Sequence, residues 1–211
     1  MATPRAVLFD LDGTLIDTMQ VFADVAADVM VRHHGIDRVA ARHAYLATSG
    51  IPFFKQLEVI APGDKRNAAA SDEFERRKIE ATGDVDPSET TLEALAHLRA
   101  RGIEVGVCSN NFQDQVDRFA ERCSARFALA LGFGNGLAKG QTQFDHACQT
   151  LGVERDELVF VGDSIADANL AIDYGMRFVG RLGTFDARTF GEVAPEAPVV
   201  AELTELLTLF V

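Results

Sequence analysis

The stretch that most constrains this chain is seven residues long, Phe9-Asp10-Leu11-Asp12-Gly13-Thr14-Leu15. It follows Ala6-Val7-Leu8-Phe9, an apolar run that reads as a short buried strand ending in a turn signal. Side chains two residues apart on an extended segment point the same way, so Asp10 and Asp12 are expected to face one site. Gly13 gives the backbone freedom to turn sharply, and Thr14 adds a hydroxyl and an amide N–H. Two carboxylates at a buried strand end repel each other and need a cation, a proton or a cluster of donors to be tolerated. A divalent metal is the simplest answer.

After this stretch the pattern is interrupted. Apolar residues at helical spacing predict helices over 17–34 and 38–49, a short one opening at Pro52, and a charged one over 67–82 closed by Gly83. No strand-like run occurs in this block. A β-α alternation then resumes, with helices predicted at 89–101, 111–123, 139–151 and 164–174, and strands at 103–108, 127–131, 158–161 and 177–179. Val199 and Val200 read as one more strand before a last helix over 201–210, and 184–198 is the least regular part. Strands alternating with helices imply parallel βαβ units with right-handed crossovers. The expected fold class is α/β, a doubly wound parallel sheet formed by residues 1–15 and 85–211, with an all-helical domain inserted at 16–84.

With 211 residues the chain is long enough for both parts. Its net charge of −12 disfavours nucleic acid as a partner, because such proteins usually carry a basic footprint. An anionic substrate must then be attracted by local features. No apolar run is long enough to span a membrane, and the first residues lack the layout of a signal peptide. Three cysteines, Cys108, Cys123 and Cys148, form neither a zinc pattern nor a disulfide framework. They are expected to be small buried residues in a reducing cytoplasm.

Further polar residues fall where strands should end, the edge at which open α/β sheets bind ligands. Ser109-Asn110 offers a hydroxyl and, with the start of the next helix, backbone N–H groups suited to an anion. Lys139 follows a glycine-rich loop and begins a helix. The apolar run at 158–161 ends in Gly162-Asp163-Ser164, with Asp167 one helical turn on. Asp163 is the expected ligand of a hard cation, and Asp167 is expected to orient it or a water on the metal.

Together these residues resemble the four ordered motifs of the haloacid dehalogenase-like phosphohydrolases. The inserted helices match, by position and type, the cap of the subgroup that includes phosphoglycolate phosphatase and β-phosphoglucomutase. The resemblance implies a nucleophile at Asp10 that becomes an aspartyl-phosphate, and a general acid/base at Asp12. It implies Mg²⁺ held by Asp10, the backbone carbonyl of Asp12 and Asp163, with Gly13 and Asp167 in support. Thr14, Ser109, Asn110 and Lys139 would bind the phosphoryl group, Lys139 also neutralising the nucleophile. The family often has Lys-Pro where this chain has Lys139-Gly140.

Asp12 argues against a dehalogenase, and Leu11 against a P-type ATPase. A phosphomutase and a catalytically silent binding module of the same fold remain alternatives. The implied substrate is a small phosphorylated metabolite, the implied assembly a monomer or homodimer. Hinges are expected at 15–17 and 83–87, and the loop 48–52 with Lys55 lies where related caps contact the leaving group. His33-His34 reads as a dipole-compatible surface pair, and Arg76-Arg77-Lys78 as a solvated helix face.

Overall fold

The computed structural model describes residues 1–82 and 85–210. In the described residues the chain runs β1 (Ala6–Phe9), then α1 (Met19–His34), α2 (Arg38–Ala47), α3 (Phe53–Ile60) and α4 (Asn67–Thr82). It continues through α5 (Glu89–Ala100), β2 (Glu104–Phe112), α6 (Gln113–Arg122), β3 (Leu129–Phe133) and α7 (Gln141–Leu151). The last part is β4 (Leu158–Gly162), α8 (Ile165–Tyr174), β5 (Arg177–Arg181), α9 (Ala187–Val193), β6 (Val199–Val200) and α10 (Leu206–Leu209). The chain divides into two compact units, Met1–Ile16 with Asp86–Val211, and Asp17–Val85.

In the first unit the strands form one sheet in the order β3-β2-β1-β4-β5-β6, every neighbouring pair parallel. Alternation along each strand sorts side chains to two faces. Val7, Phe9, Val105, Val107, Val159 and Val161 pack with Leu95 and Leu98 of α5, Phe119 of α6 and Leu206 of α10. Leu8, Leu158 and Phe160 pack with Phe144 of α7, Ala168 and Ala171 of α8 and Phe190 of α9. Helices on both faces explain why β1 and β4 are apolar and buried throughout. The chain builds outward from β1 through β2 to β3, then returns to β1's other side at β4. The carboxyl ends of β1 and β4 therefore flank the point where strand order reverses.

Several boundaries differ from expectation. β2 continues through Ser109, Asn110 and Asn111 to Phe112, which pairs with Phe133 beyond a register irregularity after Cys108. Cross-strand pairing overrides the polar, cap-like sequence there, and α6 begins only at Gln113. β3 lies two residues later than predicted, at Leu129–Phe133. Lys139 precedes α7 instead of opening it, with Gly140 between them. The irregular stretch contains α9, whose start is capped by Asp186 accepting from the Thr189 N–H. The final helix is mostly replaced by a 3₁₀ turn at Leu203–Glu205 and the short α10.

The second unit is helical in its described residues and buries an aromatic cluster of Phe22, Tyr45, Phe53 and Phe74. The rings of Phe53 and Phe74 lie 4.2 Å apart, centroid to centroid. Lys78 corrects the reading of a solvated face. It is buried, with its ammonium 5.4 Å from the centre of the Phe22 ring and 3.0 Å from Glu75. Arg77 pairs with Asp28 at 3.1 Å. His33 and His34 are likewise not simple surface groups, since each ties α1 to α4. His33 Nε2 lies 2.8 Å from a Glu73 carboxylate oxygen, and His34 Nε2 lies 2.9 Å from Asn67 Oδ1. Within the expected hinge at 83–87, Gly83 and Asp84 lie outside the described residues.

Candidate active site

β1 delivers Asp10 to its carboxyl end, where the Asp10 N–H donates to Val161 O at 2.9 Å and registers the residue against β4. The chain then turns tightly. The N–H groups of Leu15 and Ile16 both donate to Leu11 O, and Gly13 takes a φ of 83°. The turn separates the two acids by environment. Asp10 is buried, whereas Asp12 is half-buried and accepts a 2.7 Å hydrogen bond from Asn111 Nδ2. Thr14 is buried, and its hydroxyl has no hydrogen-bond partner among the described residues.

β4 delivers Asp163 beside Asp10. Ser164 caps α8, accepting from the Asp167 N–H at 3.1 Å. One Asp167 oxygen in return accepts from the Ser164 N–H at 3.2 Å and the Ser164 hydroxyl at 2.6 Å. The other Asp167 oxygen lies 2.6 Å from Lys139 Nζ, and the same ammonium lies 2.7 Å from Asp10 Oδ1. Lys139 thus bridges Asp10 and Asp167. Asp167 in turn holds both the lysine and the helix cap. Oxygens of Asp10, Asp163 and Asp167 lie within 4.8 Å of one another.

Three buried carboxylates and one ammonium leave two negative charges to be offset. Burial is the largest influence on Asp10, opposed by Lys139 and reinforced by Asp167, and its carboxyl is pushed up to about 7. Burial, then the charges of Asp10 and Asp167, hold Asp163 well above the usual carboxylate range, despite a hydrogen bond from the Thr184 hydroxyl. Burial also penalises the Lys139 ammonium, but its two carboxylate partners outweigh that and raise its proton affinity. The Phe160 ring, 5.6 Å away, adds a favourable face for the cation. A hard divalent cation fits this donor set, since it prefers oxygen ligands and would supply the missing charge. The Asp12 carboxylate is held by Asn111, and its charge adds to those that raise Asp10.

The other predicted residues come from β2. Ser109 is buried and its Oγ accepts the Asn111 N–H at 3.1 Å, while Asn110 is half-buried beside it. Sequence reasoning passed over three residues. Asn111 was assigned to a helix, although alternation from Ser109 places both side chains on one side of an extended segment. Gln143 is fully buried on α7, and its Nε2 donates to Ser109 O at 3.0 Å and Gly132 O at 2.9 Å, joining the ends of β2 and β3. No local motif announces it. Thr184 lies on the loop after β5 and meets Asp163 only through the tertiary fold.

Residues 4–175 match the family model described as a haloacid dehalogenase-like hydrolase. A haloacid dehalogenase-like hydrolase domain-containing protein of Arabidopsis thaliana is 29% identical over 166 residues, covering 77% of this chain. The match spans only 64% of that relative's length. Phosphoglycolate phosphatase of Chromobacterium violaceum is 28% identical over 202 residues, covering 85% of this chain and 89% of the relative. The solved structure of a haloacid dehalogenase-like family hydrolase from Streptococcus pneumoniae superposes with a TM-score of 0.80 over 98% of each chain, at 17% identity.

Proposed function

Because the chain belongs to the haloacid dehalogenase-like hydrolases, we propose that it is a Mg²⁺-dependent phosphatase acting on a small phosphate monoester through an aspartyl-phosphate. The observation that carries this reading is Lys139 set between Asp10 and Asp167, with Asp163 in the same buried cluster. That arrangement holds the carboxyl at the end of β1 beside a fixed cation, in a cluster whose three acids outnumber that cation. Asp10, the backbone carbonyl of Asp12 and Asp163 are the groups that would hold Mg²⁺. When bound, it supplies charge neutralisation and orientation for the transferring phosphoryl group.

In the first step an Asp10 oxygen attacks phosphorus in line, the bond to the leaving oxygen breaks, and that oxygen takes the proton held by Asp12. In the second, water attacks the same phosphorus, gives its proton to the ionised Asp12, and the Asp10–phosphorus bond breaks to release phosphate. Asn111 fixes the Asp12 carboxyl in both steps. Lys139, the Thr14 hydroxyl, Ser109 and Asn110 bind the equatorial oxygens. Similarity to phosphoglycolate phosphatase supports a substrate of that size, a phosphoglycolate- or sugar-phosphate-like monoester. The free cysteines support a reducing compartment such as the cytoplasm.

The test is phosphate release from a panel of small monoesters, with and without Mg²⁺, beside Asp10→Asn. Mg²⁺-dependent release that the substitution abolishes is the expected result. Release that survives Asp10→Asn would sink the mechanism. No release from a folded, Mg²⁺-binding protein would redirect the reading to a phosphomutase or a binding module.

A further inference from the structure

Asp163 differs from its two neighbours in how it is held. Lys139 lies within 2.7 Å of both Asp10 and Asp167, and ion-pairs directly with those two. Asp167 has one oxygen on the ammonium and the other on Ser164. Asp163 is just as deeply buried, 2% exposed, yet the side-chain donor that meets it among the described residues is a neutral hydroxyl, Thr184 Oγ1 on Asp163 Oδ2. A carboxylate among like charges, with no fixed cation of its own, has every reason to rotate away from them. The Thr184 bond holds one of its oxygens and restrains its rotation.

The loop that carries Thr184 is built to place it. β5 runs beside β4 with Gly180 opposite Gly162, so the residues after Gly180 pass the end of the strand that delivers Asp163. The Leu182 N–H donates to Val200 O at 2.9 Å, anchoring the loop's start on β6. Gly183 takes a φ of 147°, a conformation that L side chains rarely adopt, within the bend that leads to Thr184. Phe185 then packs edge-on against the buried Phe190, closing the far side of the loop. Thr184 is fixed from both directions.

We infer that Thr184 is a positioning residue for the cation site: its hydroxyl fixes the Asp163 carboxylate so that one oxygen stays available to the divalent ion. The inference rests on the metal-site reading above. Partners of this kind around metal ligands are typically worth 10- to 100-fold in metal affinity. Threonine suits the role because valine has nearly its shape and lacks only the hydroxyl, so packing and hydrogen bonding can be separated.

The experiment is calorimetric titration of the metal-free protein with Mg²⁺ for wild type, Thr184→Val and Thr184→Ser. Thermal unfolding without metal serves as the folding control. Valine is expected to weaken Mg²⁺ binding about 10-fold, and serine, which keeps the hydroxyl, to stay within a few-fold of wild type. In phosphate release, Thr184→Val is expected to need about 10-fold more Mg²⁺ for half-maximal rate while reaching a similar maximum. Equal Mg²⁺ affinity in wild type and Thr184→Val would overturn the assignment and leave the metal site standing. Tighter binding in the valine variant would also overturn it, since the hydroxyl would then be competing with the ion. A folded wild type that binds no Mg²⁺ would remove the metal reading and this inference together.

Discussion

Lys139 sits 2.7 Å from Asp10 and 2.6 Å from Asp167, and it is itself buried, so its removal strands two carboxylates away from water. Breaking a buried charge cluster by deleting one partner commonly costs about 3–5 kcal/mol, because the remaining charge is left uncompensated. Lys139→Met is therefore expected to lose phosphate release and, without metal, about that much stability at pH 8. At pH 5.5 the loss should shrink, since the Asp10 carboxyl, pushed up by burial to about 7, can take a proton. Urea unfolding at the two pH values decides it, and an equal loss at both would mean the carboxylates had found another partner. Cys108 gives an independent check on burial at the same strand ends. It is fully buried, and burial pushes its thiol well above the usual range. Iodoacetamide at pH 8 should alkylate the half-buried Cys148 of the native protein before Cys108, read by peptide mass. Early labelling of Cys108 would show that the β2 end opens readily.

At the scale of elements, the end of β2 is held by contacts too tight for a methyl group. A Cβ on Gly132 would lie 2.7 Å from Gln113 Cα and 2.8 Å from Asn111 O, both backbone atoms that cannot swing aside. Gly132→Ala is expected to cost about 1–3 kcal/mol through overpacking and to slow phosphate release by shifting Asn111. In α9 the helical Gly191 faces open space, so Gly191→Ala should gain about 0.5–1 kcal/mol. Thermal unfolding of the pair tests whether the β2–β3 end and α9 are placed as described, and equal effects would contradict it. These same elements show what the sequence could and could not reveal. The apolar strands β1 and β4, with Asp10 and Asp163 at their ends, were legible because their signal is local. The end of β2 was not, since Ser109-Asn110-Asn111 carries helix-cap chemistry and only pairing with β3 makes it a strand. α9 went unseen because a seven-residue helix offers barely two turns of periodicity. Gln143 and Thr184 were illegible for a deeper reason. Their roles depend on which strand lies beside which, and nothing in their own neighbourhoods encodes that order.

For the molecule as a whole, the buried charge makes stability depend on pH and on metal together. Asp10 has its carboxyl pushed up to about 7, and Asp163 is also raised, with burial the first cause for both. The folded protein therefore binds more protons than the unfolded chain between the ordinary carboxylate range and neutrality. Where the native state holds the extra protons, stability falls as pH rises. The metal-free protein should consequently lose stability from pH 5 to pH 8 through this site, and the loss should level off once both carboxyls are ionised. A divalent cation reverses the balance, because it binds the ionised carboxylates and must displace protons to do so at low pH. At 100 times its dissociation constant Mg²⁺ should add about 2.7 kcal/mol at pH 8. For a chain of this length that corresponds to roughly 5–10 °C in Tm. At pH 5 the gain should be markedly smaller, and in Asp163→Asn it should be nearly absent at either pH. The measurement is thermal unfolding at pH 5, 6.5 and 8, with EDTA or Mg²⁺, at an ionic strength high enough to screen the effect of the net charge of −12. A Mg²⁺ gain that is the same at every pH would mean the ion binds elsewhere on this acidic surface, because only ligands that must shed protons tie metal affinity to this window.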